Sequence, residues 1–300
     1  MTTLRQLRFL VALADTLNFS RASEICNVTQ STLSTGLKEL EQRLGVQLAE
    51  RTTHSVLMTR VGTDIAERAR DVLARVGDIE AMARAEVGAG TTLLRLGAIP
   101  TVGPFLMPRA LPELRRAYPE MKVYLREELT ESLLQGLMDG RLDVVLIALP
   151  HDLPPQVVTE PLFEDGYSLA MPPGHPLTER AEVSSGDLRE RRLLLLDPGH
   201  CLQRHALSSY PDAALAEDPS FSATSLPTLM SMVEEGLGIT LLPDLAVDAG
   251  AAKGHRLALA PLEQARPRAV VLAWRRSSAQ SDFFRAVAAR LRNARAALRG

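Results

Sequence analysis

Two cysteines, Cys26 and Cys201, are all that the 300 residues contain. So few thiols in a chain of this size make no disulfide scaffold, and a reducing, cytoplasmic setting follows. No apolar run approaches the ~20 residues that a bilayer-spanning helix needs, so no membrane partner is expected. The opening MTTLRQLRFLVALADT carries Arg5, Arg8 and Asp15 where a signal peptide would be uninterrupted, so no export is expected. An excess of positive charge is also lacking: the formal net charge is −2, and the chain as a whole is not a basic nucleic-acid binder. No Walker motif, GxGxxG fingerprint or zinc-ligand cluster occurs, so neither a cofactor nor a metal is expected. Asp143 and Glu164 have no evident carboxylate partner, which leaves hydrolytic acid–base chemistry without support; the chain does not read as an enzyme.

What is present is ordinary globular material, 46% hydrophobic and 23% charged, long enough for two or three compact units. Its charge is uneven. Seven Lys/Arg oppose five Asp/Glu in residues 1–60, a balance of +2 that leaves −4 for the rest, and this marks the N-terminal part as the one that meets an anion. There, Leu7, Leu10, Val11 and Ala14 recur at helical spacing and predict a helix from Thr3 to Leu17. Ser20 caps a short second helix with Ala22, Ile25 and Cys26 facing inward. After a tight turn at Asn27-Val28, a third helix from about Thr29 buries Leu33, Leu37, Leu40 and Leu44. Two short helices around a tight turn are a helix-turn-helix. The exposed start of the third helix carries Gln30, Ser31, Thr32, Ser34, Thr35 and Lys38, all able to hydrogen-bond base edges in a major groove. GVQLAERTTHSVLMTR then predicts a hairpin wing with Arg51 and His54 near its tip, against the phosphates. Periodicity alone equally fits a small three-helix core with a polar surface.

The order of residues separates these readings. Phe19-Ser20-Arg21-Ala22-Ser23, the run from Gln30 to Ser34, and Leu40-Glu41 through Leu44-Gly45 to Leu48 closely resemble the DNA-binding domain of LysR-type transcriptional regulators. The family often carries Arg or Lys where His54 stands.

From Gly62 to Val87 there is no proline, and Ile65, Ala69, Val72, Val76, Ile79 and Ala83 form a seam of 3.5-residue period. A helix of about 25 residues is ~38 Å long and has no core of its own. It either packs on its own domain or pairs with a second copy, and the sustained seam fits pairing. The family resemblance implies the same dimerising linker, and a tetramer bound across two half-sites.

Beyond a hinge at Gly88-Ala89-Gly90-Thr91, strands and helices alternate in βαβαβ order, which implies a parallel sheet. A second segment begins around residues 159–175. The late strand AVVLAW and the last helix return to the first segment. The expected architecture is therefore α/β: a winged helix-turn-helix (1–60), a linker helix (61–88) and a two-lobed effector domain (89–300). Its lobes, about 92–160 with 268–300 and about 161–267, resemble a periplasmic-binding-protein cleft. Ligands bind such sheets outside the carboxyl ends of the strands. Thr101 and Thr130 follow the first and second strands there, and each also reads as an ordinary helix cap.

LLLLDPGHC places Cys201 where a strand yields to a turn and then a helix. Helix N-terminal N–H groups, with Arg204 and His205 one turn on, favour a reactive thiolate; an inert buried thiol is the other reading. IPTVGPFLMPRALPELRRAYPEMKVYL, the Gly-His-Cys-Leu run and TSLPTLMSMVEEGLGITLLPDLAV resemble the peroxide-sensing OxyR subfamily of LysR-type regulators. That resemblance implies hydrogen peroxide oxidising Cys201 in a pocket formed by Thr101, Thr130 and His200, with Gln203 and Arg204 beside it. It also implies RNA polymerase as a partner on an operator of double-stranded DNA. Two departures stand out: Tyr210 replaces the subfamily's second cysteine, and Gln203-Arg204 replaces an Arg-Asp pair. A LysR-type regulator whose cleft binds a small metabolite is the alternative.

Overall fold

The computed structural model describes residues 1–51, 56–86, 93–180, 183, 185–188, 193–197, 199–200, 202, 217–262 and 265–299. His54, Cys201, Gln203, Arg204, His205 and Tyr210 lie outside them, as does the hinge at 88–91. The chain divides into two compact units, Met1–Val87 with Met138–Arg141, and Gly88–Leu137 with Leu142–Gly300. No helix among the described residues is long and apolar enough to cross a membrane.

The first unit opens with helix α1, Leu4–Thr16. Thr3 caps it in a reciprocal box: its hydroxyl accepts from the Gln6 N–H, and the Gln6 side-chain oxygen accepts from the Thr3 N–H, both at 3.2 Å. Leu17, expected as the last helical residue, is instead the left-handed cap at φ 47°. Helix α2 spans Phe19–Ile25; its cap is Asn18 rather than the expected Ser20, because the Asn18 Oδ1 accepts from the Ser20 and Arg21 N–H groups at 2.9 Å and 3.1 Å and Ser20 is already helical. Helix α3 spans Gln30–Leu44, capped by Thr29. Strands β1 (Ala49–Arg51) and β2 (Val56–Met58) pair antiparallel, Ala49 opposite Met58, as the wing requires. Helix α4 runs Arg60–Glu86. Phe9, Leu10, Leu13, Ala22, Leu33, Leu37, Leu40 and Leu48 close one core, each large side chain contributing roughly 1.5–3 kcal/mol of transfer free energy.

Two expected core positions, Ile25 and Leu44, fall outside it, and Cys26 packs only against its edge. Ile25 is 63% exposed, and Cys26 is only half-buried. With α2 only seven residues long, Ala22 and Ser23 fill its inward face; Ile25 projects away, and Cys26 is already the cap. Leu44 is exposed because it is the last residue of α3, beyond the reach of α1. The α4 seam is also split. Of its residues, Ala69 is buried within the unit, as is the neighbouring Ala66, whereas Val72 and Ile79 are 42% and 65% exposed.

The second unit holds a five-stranded sheet in the order β4-β3-β5-β12-β6. Strands β3 (Leu93–Ala98), β4 (Lys122–Glu127) and β5 (Val144–Leu149) are parallel, connected through α5 (Gly103–Ala117) and α6 (Thr130–Met138). Strand β12 (Arg268–Arg275) lies antiparallel between β5 and β6 (Val157–Asp165). The chain crosses at Gly166 into β7 (Tyr167–Met171), the centre of a second, antiparallel sheet ordered β10-β7-β11, with β10 at Thr240–Pro243 and β11 at Ala258–Pro261. Beside it, β8 (Leu193–Leu196) runs parallel to β9 (Glu217–Ala223), and Leu193 bridges to Ile239. β8 is apolar throughout because it is covered on both faces, which alternation along the chain could not reveal.

Candidate functional site

The recognition helix is presented by its own cap. The Thr29 hydroxyl accepts from the Thr32 N–H at 3.3 Å and lies 3.0 Å and 2.8 Å from the Ser31 and Thr32 hydroxyls. The Ser20 hydroxyl donates to Gln30 Oε1 at 3.1 Å, joining the start of α2 to the start of α3. With Leu33, Leu37 and Leu40 turned inward, Gln30, Ser31, Thr35 and Lys38 are exposed on the opposite side, and Thr32 and Ser34 are half-buried at its margin. These six residues therefore share one surface of one helix. Arg51 ends β1, so its backbone is on the wing. Burial raises the pKa of the half-buried Cys26 thiol, which disfavours the thiolate, and the nearby Arg8 charge only partly offsets this.

In the second unit, Thr101 and Thr130 follow adjacent parallel strands. The pairing of Ala98 with Glu127 brings their turns together, and the Glu128 N–H extends it by donating to the Ala98 carbonyl at 3.3 Å. Both threonines are buried, but in different states. The Thr101 hydroxyl accepts from Arg268 Nη1 at 2.8 Å, and its carbonyl accepts from Nη2 at 3.1 Å. The Thr130 hydroxyl, at the first residue of α6, is buried with no hydrogen-bond partner among the described residues. A buried orphaned hydroxyl costs ~1–3 kcal/mol unless something reaches it.

The turn leading to Cys201 closes on this place. A Cβ added at Gly199 would stand 2.8 Å from Leu129 Cδ1, so this turn lies close against the residue preceding Thr130. The His200 N–H donates to the Asp197 carbonyl at 2.8 Å, and its side chain is buried. Burial pulls the imidazole below its usual pKa range, and the Asp197 carboxylate partly opposes the shift. The neutral ring is thereby favoured. On the other side of Cys201, Leu202 belongs to the core of the second lobe.

Two residues of this neighbourhood are invisible to motif reading. Arg268 Nε and Nη2 donate to Asp165 Oδ2 at 3.1 Å and 2.9 Å, both side chains fully buried. Asp165 Oδ1 accepts from the Leu245 N–H at 2.8 Å, capping the short helix Asp244–Asp248. Arg268 thus ties the two crossover segments together and holds Thr101. A charge directly before the apolar run AVVLAW was its only trace in the sequence. Asp143, by contrast, is structural: Oδ2 accepts from the Arg95 N–H at 2.8 Å.

Residues 4–63 match the bacterial regulatory helix-turn-helix protein, lysR family, and residues 88–296 match the LysR substrate binding domain. A hydrogen peroxide-inducible genes activator of Dickeya chrysanthemi is 43% identical over 244 residues, 81% of this chain and 80% of the relative. The full-length OxyR of Pseudomonas aeruginosa, solved as a cysteine-to-aspartate variant, superimposes with a TM-score of 0.76 at 36% identity, covering 97% of this chain and 98% of that one. A peroxide-bound cysteine mutant of Corynebacterium glutamicum OxyR gives 0.64 at 31% identity, over 99% and 95% of the two chains. A helix-turn-helix with its wing in the first unit, and adjacent threonine turns beside a glycine-histidine turn in the second, accord with these matches: the chain belongs to the LysR family of bacterial transcriptional regulators, and within it is OxyR-like.

Proposed function

We propose that the chain is a cytoplasmic, peroxide-responsive transcription factor that senses with Cys201 alone and has no enzymatic turnover. Residues 1–60 read the operator, residues 61–88 pair two copies, and residues 89–300 sense. Gln30, Ser31, Thr32, Ser34, Thr35 and Lys38 face bases, with Arg51 and His54 on phosphates. Dimers associate into a tetramer on double-stranded DNA and address RNA polymerase. The observation that supports sensing best is the buried hydroxyl of Thr130, without a partner among the described residues and beside the Gly199-His200 turn that leads to Cys201. A small polar molecule is the natural occupant of such a place. Thr101 and His200, with Gln203 and Arg204 by resemblance to the subfamily, are the residues assigned to holding it.

In the proposed step, the Cys201 thiolate attacks one peroxide oxygen. The S–O bond forms as the O–O bond breaks. The departing hydroxide takes a proton and leaves as water, and sulfur is oxidised to sulfenate. Tyr210 stands where the subfamily's second cysteine would condense with it, so the sulfenate persists or forms a mixed disulfide with a small thiol, releasing water. The signal is then a change of charge and hydrogen bonding at one sulfur.

Intact mass should rise by one oxygen after a brief peroxide pulse, and by a glutathionyl group when glutathione is added. Cys201→Ser, which keeps Cys26, should gain neither, and Thr130→Val should react more slowly. The operator footprint should change with peroxide in the wild type and not in Cys201→Ser. Identical behaviour of the two proteins would leave a metabolite-binding regulator as the better account.

On the DNA side, base contacts discriminate by ~1–3 kcal/mol each and phosphate contacts bind without discrimination. Ser34→Ala should therefore narrow the gap between operator and random DNA, whereas Arg51→Ala should weaken both alike. Titrations at fixed salt that find both variants unchanged would move the reading surface elsewhere.

A further inference from the structure

The linker helix begins against the wing in a contact without slack. Leu48 is its centre. The Leu48 N–H donates to Glu41 Oε1 at 2.8 Å, and the Ala49 N–H reaches the same oxygen at 3.3 Å. Glu41 stands on α3, so one carboxylate ties the reading helix to β1. The Leu48 carbonyl serves the opposite neighbour. It accepts from the Thr59 N–H at 3.0 Å and from the Thr59 hydroxyl at 3.2 Å, and the same hydroxyl donates to the Gln47 carbonyl at 2.8 Å. Thr59 also starts α4: its hydroxyl oxygen accepts from the Gly62 N–H at 3.0 Å. Gly62 itself is buried, and a Cβ there would fall 1.9 Å from the Leu48 carbonyl oxygen, a backbone atom that no rotamer change can move. The Leu48 side chain is sealed in the core, so the wing cannot retreat either.

We infer that Glu41, Leu48, Thr59 and Gly62 form a rigid joint that fixes the direction of α4 relative to the recognition helix, and thereby sets the half-site spacing that a dimer reads. The last clause rests on the proposed pairing through α4. These four are positioning residues. A shift of ~1 Å across one helical turn of ~5.4 Å is a tilt of ~10°, which displaces a point ~36 Å further along the helix by ~6 Å. Two reading helices joined through such levers would miss their half-sites together while each still fitted its own. Simultaneous engagement, and the avidity that comes with it, is lost when geometry forbids it.

Gly62→Ala tests the joint, with Gly77→Ala as control, because Gly77 lies in the same helix and has nothing within 4 Å of an added Cβ. Binding is measured to DNA carrying one half-site, and to DNA carrying two at the native spacing and at spacings changed by one or two base pairs. In Gly62→Ala, half-site affinity should stay within about twofold. Affinity for the native full site should fall about tenfold or more, and part of it should return at an altered spacing. Gly77→Ala should match the wild type throughout. Equal losses on half and full sites, or no loss on either, overturn the joint. Hydrogen exchange at the Leu48 and Ala49 amides, read without DNA, tests it inside a single protomer. Faster exchange in Gly62→Ala than in Gly77→Ala supports the joint, and equal exchange overturns it. If the wild type itself gains nothing from a second half-site, it is the pairing that fails, and the exchange result decides the joint alone.

Discussion

Arg268→Met is expected to destabilise the effector unit by about 3–5 kcal/mol, because it leaves the fully buried Asp165 carboxylate without its cation. The same substitution strips a donor from the Thr101 hydroxyl and another from its carbonyl. The loss should be read as a lower urea midpoint of that unit with an unchanged m-value, since the surface exposed on unfolding is the same. Asp165→Asn keeps an oxygen for the Leu245 N–H but strands the guanidinium, and should cost a similar amount. The double variant Arg268→Met/Asp165→Asn buries neither charge. It should recover much of the loss, giving an interaction energy well outside the ~0.3–0.5 kcal/mol expected of independent sites. Additive losses would mean that the two side chains do not act as a pair. Arg268 and Asp165 sit opposite each other on β12 and β6, where the chain leaves the first sheet for β7.

Placing Asp at both Val72 and Ile79 is expected to abolish pairing while leaving the fold intact. Both side chains are largely exposed in the single chain, so charge there is tolerated by the monomer. In a paired seam the same change would bury two carboxylates per helix without partners, each a costly desolvation. The dimer dissociation constant should rise by about 100-fold or more, roughly 2.7 kcal/mol. Sedimentation should then report a monomer at concentrations where the wild type is a dimer, with helical content unchanged by circular dichroism. Half-site DNA should still bind, and the full site should lose its advantage. An unchanged dimer mass would assign the exposed face of α4 to some other task.

Much of the first unit was legible in the chain because its information is local. Leu33, Leu37 and Leu40 repeat at helical spacing, and the turn at Asn27 separates two helices. The errors came at helix ends. The cap of α2 is Asn18, two residues before the expected Ser20. Ile25 and Leu44 continue an apolar pattern past the point where a partner helix covers it, and periodicity does not report where that cover stops. The α4 seam shows the same limit: a 3.5-residue stripe is equally good whether α1 or a second chain buries it. Only the packed unit assigns Ala66 and Ala69 to the inside and leaves Val72 and Ile79 outside.

By itself the sequence determined the alternation of strands and helices, the place of Thr101 and Thr130 after strands, and the lack of a second cysteine in the effector domain beside Cys201. These follow from composition, from periods of two and 3.6, and from residue order. Tertiary structure alone decided which polar groups are already satisfied. Thr101 is held by an arginine 167 residues away, while Thr130 has no partner among the described residues. It alone showed why Gly62 is glycine, since a Cβ there would meet the backbone of a different element. The physical reason is the same in every case. Helices and strands are set by neighbours along the chain, whereas desolvation, hydrogen-bond satisfaction and close approach depend on neighbours in space, which a linear pattern does not encode.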